Sequence, residues 1–124
     1  MKPNDAAYIA GLFDGEGTVT CKSYKRIRHD RAKRPVHNVF FIRCEIALTT
    51  SDAVTWVHQT AGYGWYREKK YYNRPAHYKR QWRWACGYRN ALKFAKEIVP
   101  HSKIKKQDLQ NIIDHYEKPK TLEG

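Results

Sequence analysis

The chain has 124 residues, which suits one domain and leaves no room for two. Its hydrophobic content of 41% can supply a core, and a net charge of +12 with a pI near 9.8 points to a polyanionic partner, nucleic acid foremost. The apolar runs are far too short to cross a membrane.

The basic residues interleave with nine Tyr and four Trp, which a merely solubilising surface does not need. Cys21, Cys44 and Cys86 are widely spaced and form no CxxC pair. An odd count without a signal peptide predicts buried thiols in a reducing compartment, cytoplasmic or DNA-associated and not secreted. None of the six His pairs with Cys at zinc-ligand spacing.

In chain order, Asn4 is a fair N-cap and Asp5 favours a first helical turn. Residues 6–13 then form a helix with no polar face beyond the Tyr8 hydroxyl, so it must be buried all round. In a chain this short, that requires a second copy as well as the chain's own core. Ala7, Ala10, Gly11 and Asp14 share one face, and small residues there let two helix backbones approach closely. Gly15 and Gly17 free the backbone to leave the helix sharply. Glu16 is left at the negative end of the helix dipole, where a carboxylate is poorly placed unless a cation neutralises it.

Residues 18–28 read as a strand. Val19, Cys21, Ser23 and Lys25 line one side, and Thr20, Lys22, Tyr24, Arg26 and Arg28 line a cationic side suited to DNA. Residues 29–35 form an exposed basic loop in which Arg31, Lys33 and Arg34 are natural phosphate contacts. The second strand, residues 36–49, turns Ile42, Cys44, Ile46 and Leu48 inward and Val39, Phe41, Arg43, Glu45 and Ala47 outward. Glu45 either pairs with a neighbouring Arg or accepts from cytosine N4, with pairing the favoured role.

Thr50, Ser51 and Asp52 make an N-cap cluster for a short helix over 53–61 that ends at Gly62. Val54 and Val57 face the core, and Trp56 is a candidate to join them. A third strand over 65–72 carries Arg67, Lys69 and Tyr71 on one side. A fourth over 76–86 carries Tyr78, Trp82, Trp84 and Cys86 on one side and His77, Lys79, Gln81 and Arg83 on the other. An amphipathic helix over 89–99 has Leu92, Ala95, Ile98 and Val99 as its stripe and stops at Pro100. The last helix covers 104–116 with Leu109, Ile112, Ile113 and Tyr116 inward. The domain closes at residue 117, and 118–124 is a fraying tail.

Residues 9–17 resemble the LAGLIDADG signature of homing endonucleases. They match it letter for letter at Ala10, Gly11, Leu12, Asp14 and Gly17, with Ile9, Phe13 and Glu16 as conservative replacements and Gly15 in place of the motif's Ala. The α-β-β-α-β-β-α-α order has the same resemblance and extends it over nearly the whole chain. It implies an α+β fold whose four-stranded antiparallel sheet binds DNA. A single motif implies a homodimer, with the two motif helices packed at a two-fold axis.

The resemblance also implies an activity. The family hydrolyses both strands of a long, near-palindromic double-stranded target with Mg²⁺ and leaves short 3′ overhangs; Mn²⁺ is expected to substitute, and Ca²⁺ to support binding without cleavage. No organic cofactor or membrane is implied. Glu16, with the Gly15 carbonyl, corresponds to the metal-binding end of the motif; Asp14 is structural. Lys105 corresponds to the family's active-site lysine, and Thr50 stands where the family often has a water-positioning Gln. A cleavage-inactive RNA maturase or DNA-binding regulator would keep the fold without the cutting. A ribosomal or other RNA-binding protein would explain the charge but not the motif.

Overall fold

The computed structural model describes residues 1–27, 36–69 and 79–118. Helix α1 (Pro3–Glu16) runs directly into β1 (Gly17–Ile27), and β2 (Val36–Leu48), α2 (Ser51–Ala61), β3 (Trp65–Lys69) and β4 (Gln81–Gly87) follow. Helix α3 (Arg89–Ile98) passes through a short 3₁₀ turn (Val99–His101) to α4 (Lys106–Glu117). The strands form one antiparallel sheet in the order β1-β2-β4-β3. Element order and sheet type are those expected from the sequence.

Alternation along the strands divides the sheet into two unlike faces. Ile42, Cys44, Ile46, Trp84 and Cys86 are buried on the inner face against Ile9 and Phe13 of α1, Val54 and Val57 of α2, Phe94 and Ile98 of α3, and Leu109 and Ile112 of α4. The four helices thus supply one side of the core, and the outer face carries none of them. Trp84 is the pivot: its ring lies 5.0 Å from Phe94, and its Nε1 donates to the Tyr63 carbonyl at 3.2 Å. Burying a ring of that size contributes about 3 kcal/mol.

Several local expectations are corrected. Helix α1 begins at Pro3, so Lys2 and not Asn4 takes the cap position; proline's fixed φ and missing N–H suit the first helical residue. Helix α2 begins at Ser51, and Thr50 occupies its cap position without a side-chain cap bond. Trp56 stays at the surface, edge-on to Tyr8 with ring centroids 5.4 Å apart. Strand β4 begins at Gln81, so Lys79, though exposed, lies off the strand. In α3, Ala91 and Phe94 are fully buried beside the expected Ala95 and Ile98, while Leu92 and Val99 pack partly buried against the core; Ile104 precedes α4 and is 73% exposed. Cys44 and Cys86 are buried side by side across β2 and β4, but Cys21 is exposed. Residues 28–35, 70–78 and 119–124, with the expected basic loop, the remainder of the third strand and the tail, lie outside the described residues.

Candidate functional site

The end of α1 is built around Asp14. The Ser102 hydroxyl and the Lys105 N–H (3.0 Å) donate to its Oδ1, and the Lys103 N–H donates to its Oδ2 at 2.7 Å. Burial pushes this carboxyl up, but the hydrogen bonds outweigh it and hold Asp14 at a pKa of about 2. Ser102 is itself buried. One ionised side chain therefore lashes the segment between the 3₁₀ turn and α4 to the last turn of the motif helix, and brings Lys105 to that helix end. The structural role expected of Asp14 is of this kind. Its carboxylate is thereby used within the chain, whereas the sequence placed Asp14 on the face offered to a second copy.

Glu16, two residues on, is exposed, and no hydrogen bond or ion pair engages it among the described residues. The last turn of α1 contains no basic residue, so helix dipole and carboxylate repel one another there. Gly17 leaves the helix with φ −89° and ψ 159°, an extended conformation open to any residue. Glycine is required instead by space: a Cβ would overlap the Phe13 ring and carbonyl. Gly17 pairs with Ile46, so the end of β2, and Thr50 beyond it, lie at the same edge of the sheet as Glu16. No group of three or more His, Cys, Asp or Glu able to hold a metal occurs among the described residues. With Asp14 engaged, Glu16 is left as an unengaged carboxylate at this edge among the described residues.

The exposed side of α1 presents Ala7, Tyr8, Gly11 and Gly15. A Cβ at Gly11 or Gly15 would meet nothing within 4 Å, so that surface is open within the protomer. Ala10 is fully buried in the chain's own core and cannot contribute to such a surface, contrary to its expected place in a dimer interface.

The outer face of the sheet collects the cations. Register places Thr20 beside Arg43, Lys22 beside Phe41 and Tyr24 beside Val39. It places Ala47 beside Arg83, Arg83 beside Arg67, and Gln81 beside Lys69. Arg67 and Lys69 thus share the outer face with Arg83 and Gln81. Glu45 pairs with Arg83, Oε1 to Nη1 at 3.1 Å. The Arg67, Arg83 and Arg43 guanidiniums lie 4.7, 5.3 and 5.4 Å from the Trp65 ring centroid, and Arg43 is also 5.4 Å from the Phe41 ring. Sequence reasoning missed Trp65 and Ser102. Strand parity was a usable signal for Trp65, which shares its side with Arg67 and Lys69; Ser102 had none. The side chain of Arg26 and all of Arg28, Arg31, Lys33, Arg34 and Tyr71 lie outside the described residues.

No protein-family model matches the chain, and no curated protein matches its sequence. Solved structures match its fold. The homing endonuclease I-CvuI in complex with its target, in the presence of Ca, superposes with a TM-score of 0.66 at 12% identity, over 90% of this chain and 65% of that one. The archaeal intron-encoded homing endonuclease I-Vdi141I complexed with DNA gives 0.65 at 13% identity, over 92% and 67%. The group I intron-encoded I-CeuI complexed with DNA gives 0.60 at 13%, over 89% and 52%. The chain thus spans just under two thirds of the length of the I-CvuI chain. It has the LAGLIDADG homing endonuclease fold, and the resemblance carried by residues 9–17 extends to the whole architecture.

Proposed function

We propose that two copies of this chain form a LAGLIDADG homing endonuclease that binds a long, near-palindromic DNA duplex and hydrolyses both strands, leaving short 3′ overhangs. The observation that carries the reading is the division of labour between two acids. Asp14 is committed to Ser102, Lys103 and Lys105, and Glu16 is left exposed at a helix end that disfavours it. An acid so placed on a basic protein has no use in a pure binder, because it would repel phosphates.

Packing of α1 against its copy through Ala7 and Gly11 would bring two Glu16 carboxylates and two Gly15 carbonyls to a common axis, where Mg²⁺ fits the oxygen donors. Mg²⁺ held there would supply an activated water and stabilise charge on phosphate oxygens. Glu16 binds and orients, Lys105 neutralises charge at the scissile phosphate from its lashed segment, and Thr50 holds water through its hydroxyl. Lys22, Tyr24, Arg43, Arg67, Lys69, Gln81 and Arg83 face the major groove. On sequence alone, Arg26 and Arg28 are assigned base contacts and Arg31, Lys33, Arg34 and Lys79 phosphate contacts. Mn²⁺ substitutes for Mg²⁺, and Ca²⁺ supports binding alone.

Incubation with a randomised duplex library in Mg²⁺, followed by sequencing of cut ends, tests the reading. A near-palindromic consensus with paired 3′ overhangs is expected. Enrichment by binding without any cut ends would instead assign the chain to the RNA maturases or DNA-binding regulators.

A further inference from the structure

Three arginines converge on one indole on the outer sheet face, at the start of the edge strand β3, and their arrangement is costly in isolation. Arg67 and Arg83 are direct cross-strand partners, where like charges repel, and Arg43 reaches the same ring from β2. Glu45 sets one negative charge against these three positive ones, and Arg83 Nε is buried without an acceptor. Cation–π attraction to Trp65 offsets the repulsion, since all three guanidiniums lie within the ~6 Å range over which a ring face attracts a cation.

The backbone beneath is shaped to seat that ring. Ala85 is Trp65's partner on β4 and Glu45's partner from β2, and it is fully buried although no helix covers this face. Its cover must come from the large side chains beside it, of which Trp65 is the largest. Gly87, opposite Arg43, adds no side chain to the face. Gly64, with φ +90°, leads into Trp65 where a Cβ would stand 2.6 Å from the Ala85 carbonyl and 2.8 Å from the Trp84 indole nitrogen. A bulkier residue at position 64 would lift β3, and Trp65 with it, off Ala85.

We infer that Trp65 is a positioning residue: it racks Arg43, Arg67 and Arg83 into one preorganised cluster that selects bases in the major groove. An arginine otherwise loses considerable rotamer freedom when it makes a bidentate contact, and a rack that orders three of them beforehand removes much of that loss. The ligand chemistry is that of purine acceptor edges, guanine O6 and N7 above all, because a planar guanidinium fork matches them in pairs. Trp65 touches no base. Its effect passes through the three side chains it holds, and it stands on β3, three strands across the sheet from the start of β1 that follows Glu16. This inference rests on the proposed nuclease reading.

The test compares wild type, Trp65→Leu and Trp65→Phe, each with all basic residues intact. NMR of the free proteins reads the ring-current shifts of the Arg43, Arg67 and Arg83 side chains. Selection from a randomised duplex library in Ca²⁺ reads base preference. Wild type and Trp65→Phe are expected to show shifted arginine resonances and the same consensus. Trp65→Leu is expected to lose the shifts and, at symmetric positions in both half-sites, about fivefold or more of its base discrimination, the low end of what one bidentate contact supplies. Its salt dependence should stay that of wild type, because no charge is lost. Unshifted arginines in the wild type overturn the rack, whatever the DNA result. A selective wild type matched by an equally selective Trp65→Leu, or a Trp65→Leu that loses affinity equally for every sequence, overturns the positioning role alone. A wild type with shifted arginines that selects no sequence overturns the nuclease reading together with the role assigned to the rack.

Discussion

Asp14 and Glu16 are two residues apart and chemically alike, yet their surroundings assign them opposite work. Asp14 accepts from a hydroxyl and two backbone N–H groups, while Glu16 accepts from nothing described. Asp14→Asn should therefore destabilise the fold by about 1–3 kcal/mol, the cost of weakening hydrogen bonds to a charged acceptor that is partly buried. The pH dependence has a definite sign. A carboxyl held at about 2 in the fold, against an ordinary 3.8, contributes stability that is complete above the ordinary value and is lost as pH falls toward 2. Thermal unfolding of wild type and Asp14→Asn should accordingly differ most near neutral pH, and the gap should close as the pH drops below about 4. A gap that does not change with pH would mean that the carboxylate charge does not hold the Ser102–Lys105 segment.

Two glycines in or beside α1 respond oppositely to substitution. A side chain at Gly11 meets only solvent within the protomer, whereas one at Gly17 collides with Phe13. Gly11→Leu should leave the protomer folded, and should even favour its helix by somewhat under about 1 kcal/mol, yet hold two copies apart. Sedimentation should report a dimer for wild type and a monomer for the variant; an unchanged dimer would put the interface on another face. Gly17→Ala should instead lower stability by about 1–3 kcal/mol through overpacking, measured by denaturant unfolding. The contrast shows what the sequence could and could not disclose about this element. The apolar run 6–13 correctly marked a helix, and the motif spacing marked its acidic end. Which side a residue such as Ala10 faces depends on where the sheet lies, and that is decided by packing. The inward set of β2 was legible because strict alternation leaves one solution. In β3, Glu68 and Lys70 blurred the period, and only pairing with β4 fixed the side of Arg67 and Trp65. The lash of Asp14 to Ser102 spans 88 residues and left no trace in local pattern.

At the scale of the molecule, a sheet with one helix-packed face and one bare cationic face suits a long groove. A net charge of +12 on the chain, doubled in a dimer, predicts binding that weakens steeply with salt. Contacts to bases and to phosphates should separate in experiment. Arg43→Ala should relax preference at symmetric positions in both half-sites, a good bidentate contact discriminating by about 1–3 kcal/mol. Lys33→Ala, in the basic segment outside the described residues, should weaken binding to every sequence and reduce the salt slope by about one. Library selection for the first and salt titration for the second distinguish them, and identical behaviour of the two would deny the outer face its reading role.

The central claim is that Glu16 cuts and the rest of the face binds. It is tested most directly on one duplex containing the cognate site, with wild type, Glu16→Gln and Lys105→Ala compared by gel shift in Ca²⁺ and by cleavage in Mg²⁺. The account predicts that wild type binds and cuts, and that Lys105→Ala binds and cuts more slowly, by a factor on the order of a hundred. It predicts that Glu16→Gln binds without cutting, with metal-free affinity equal to or above that of wild type because an acid facing phosphates has been neutralised. A Glu16→Gln protein that still cuts would contradict the account.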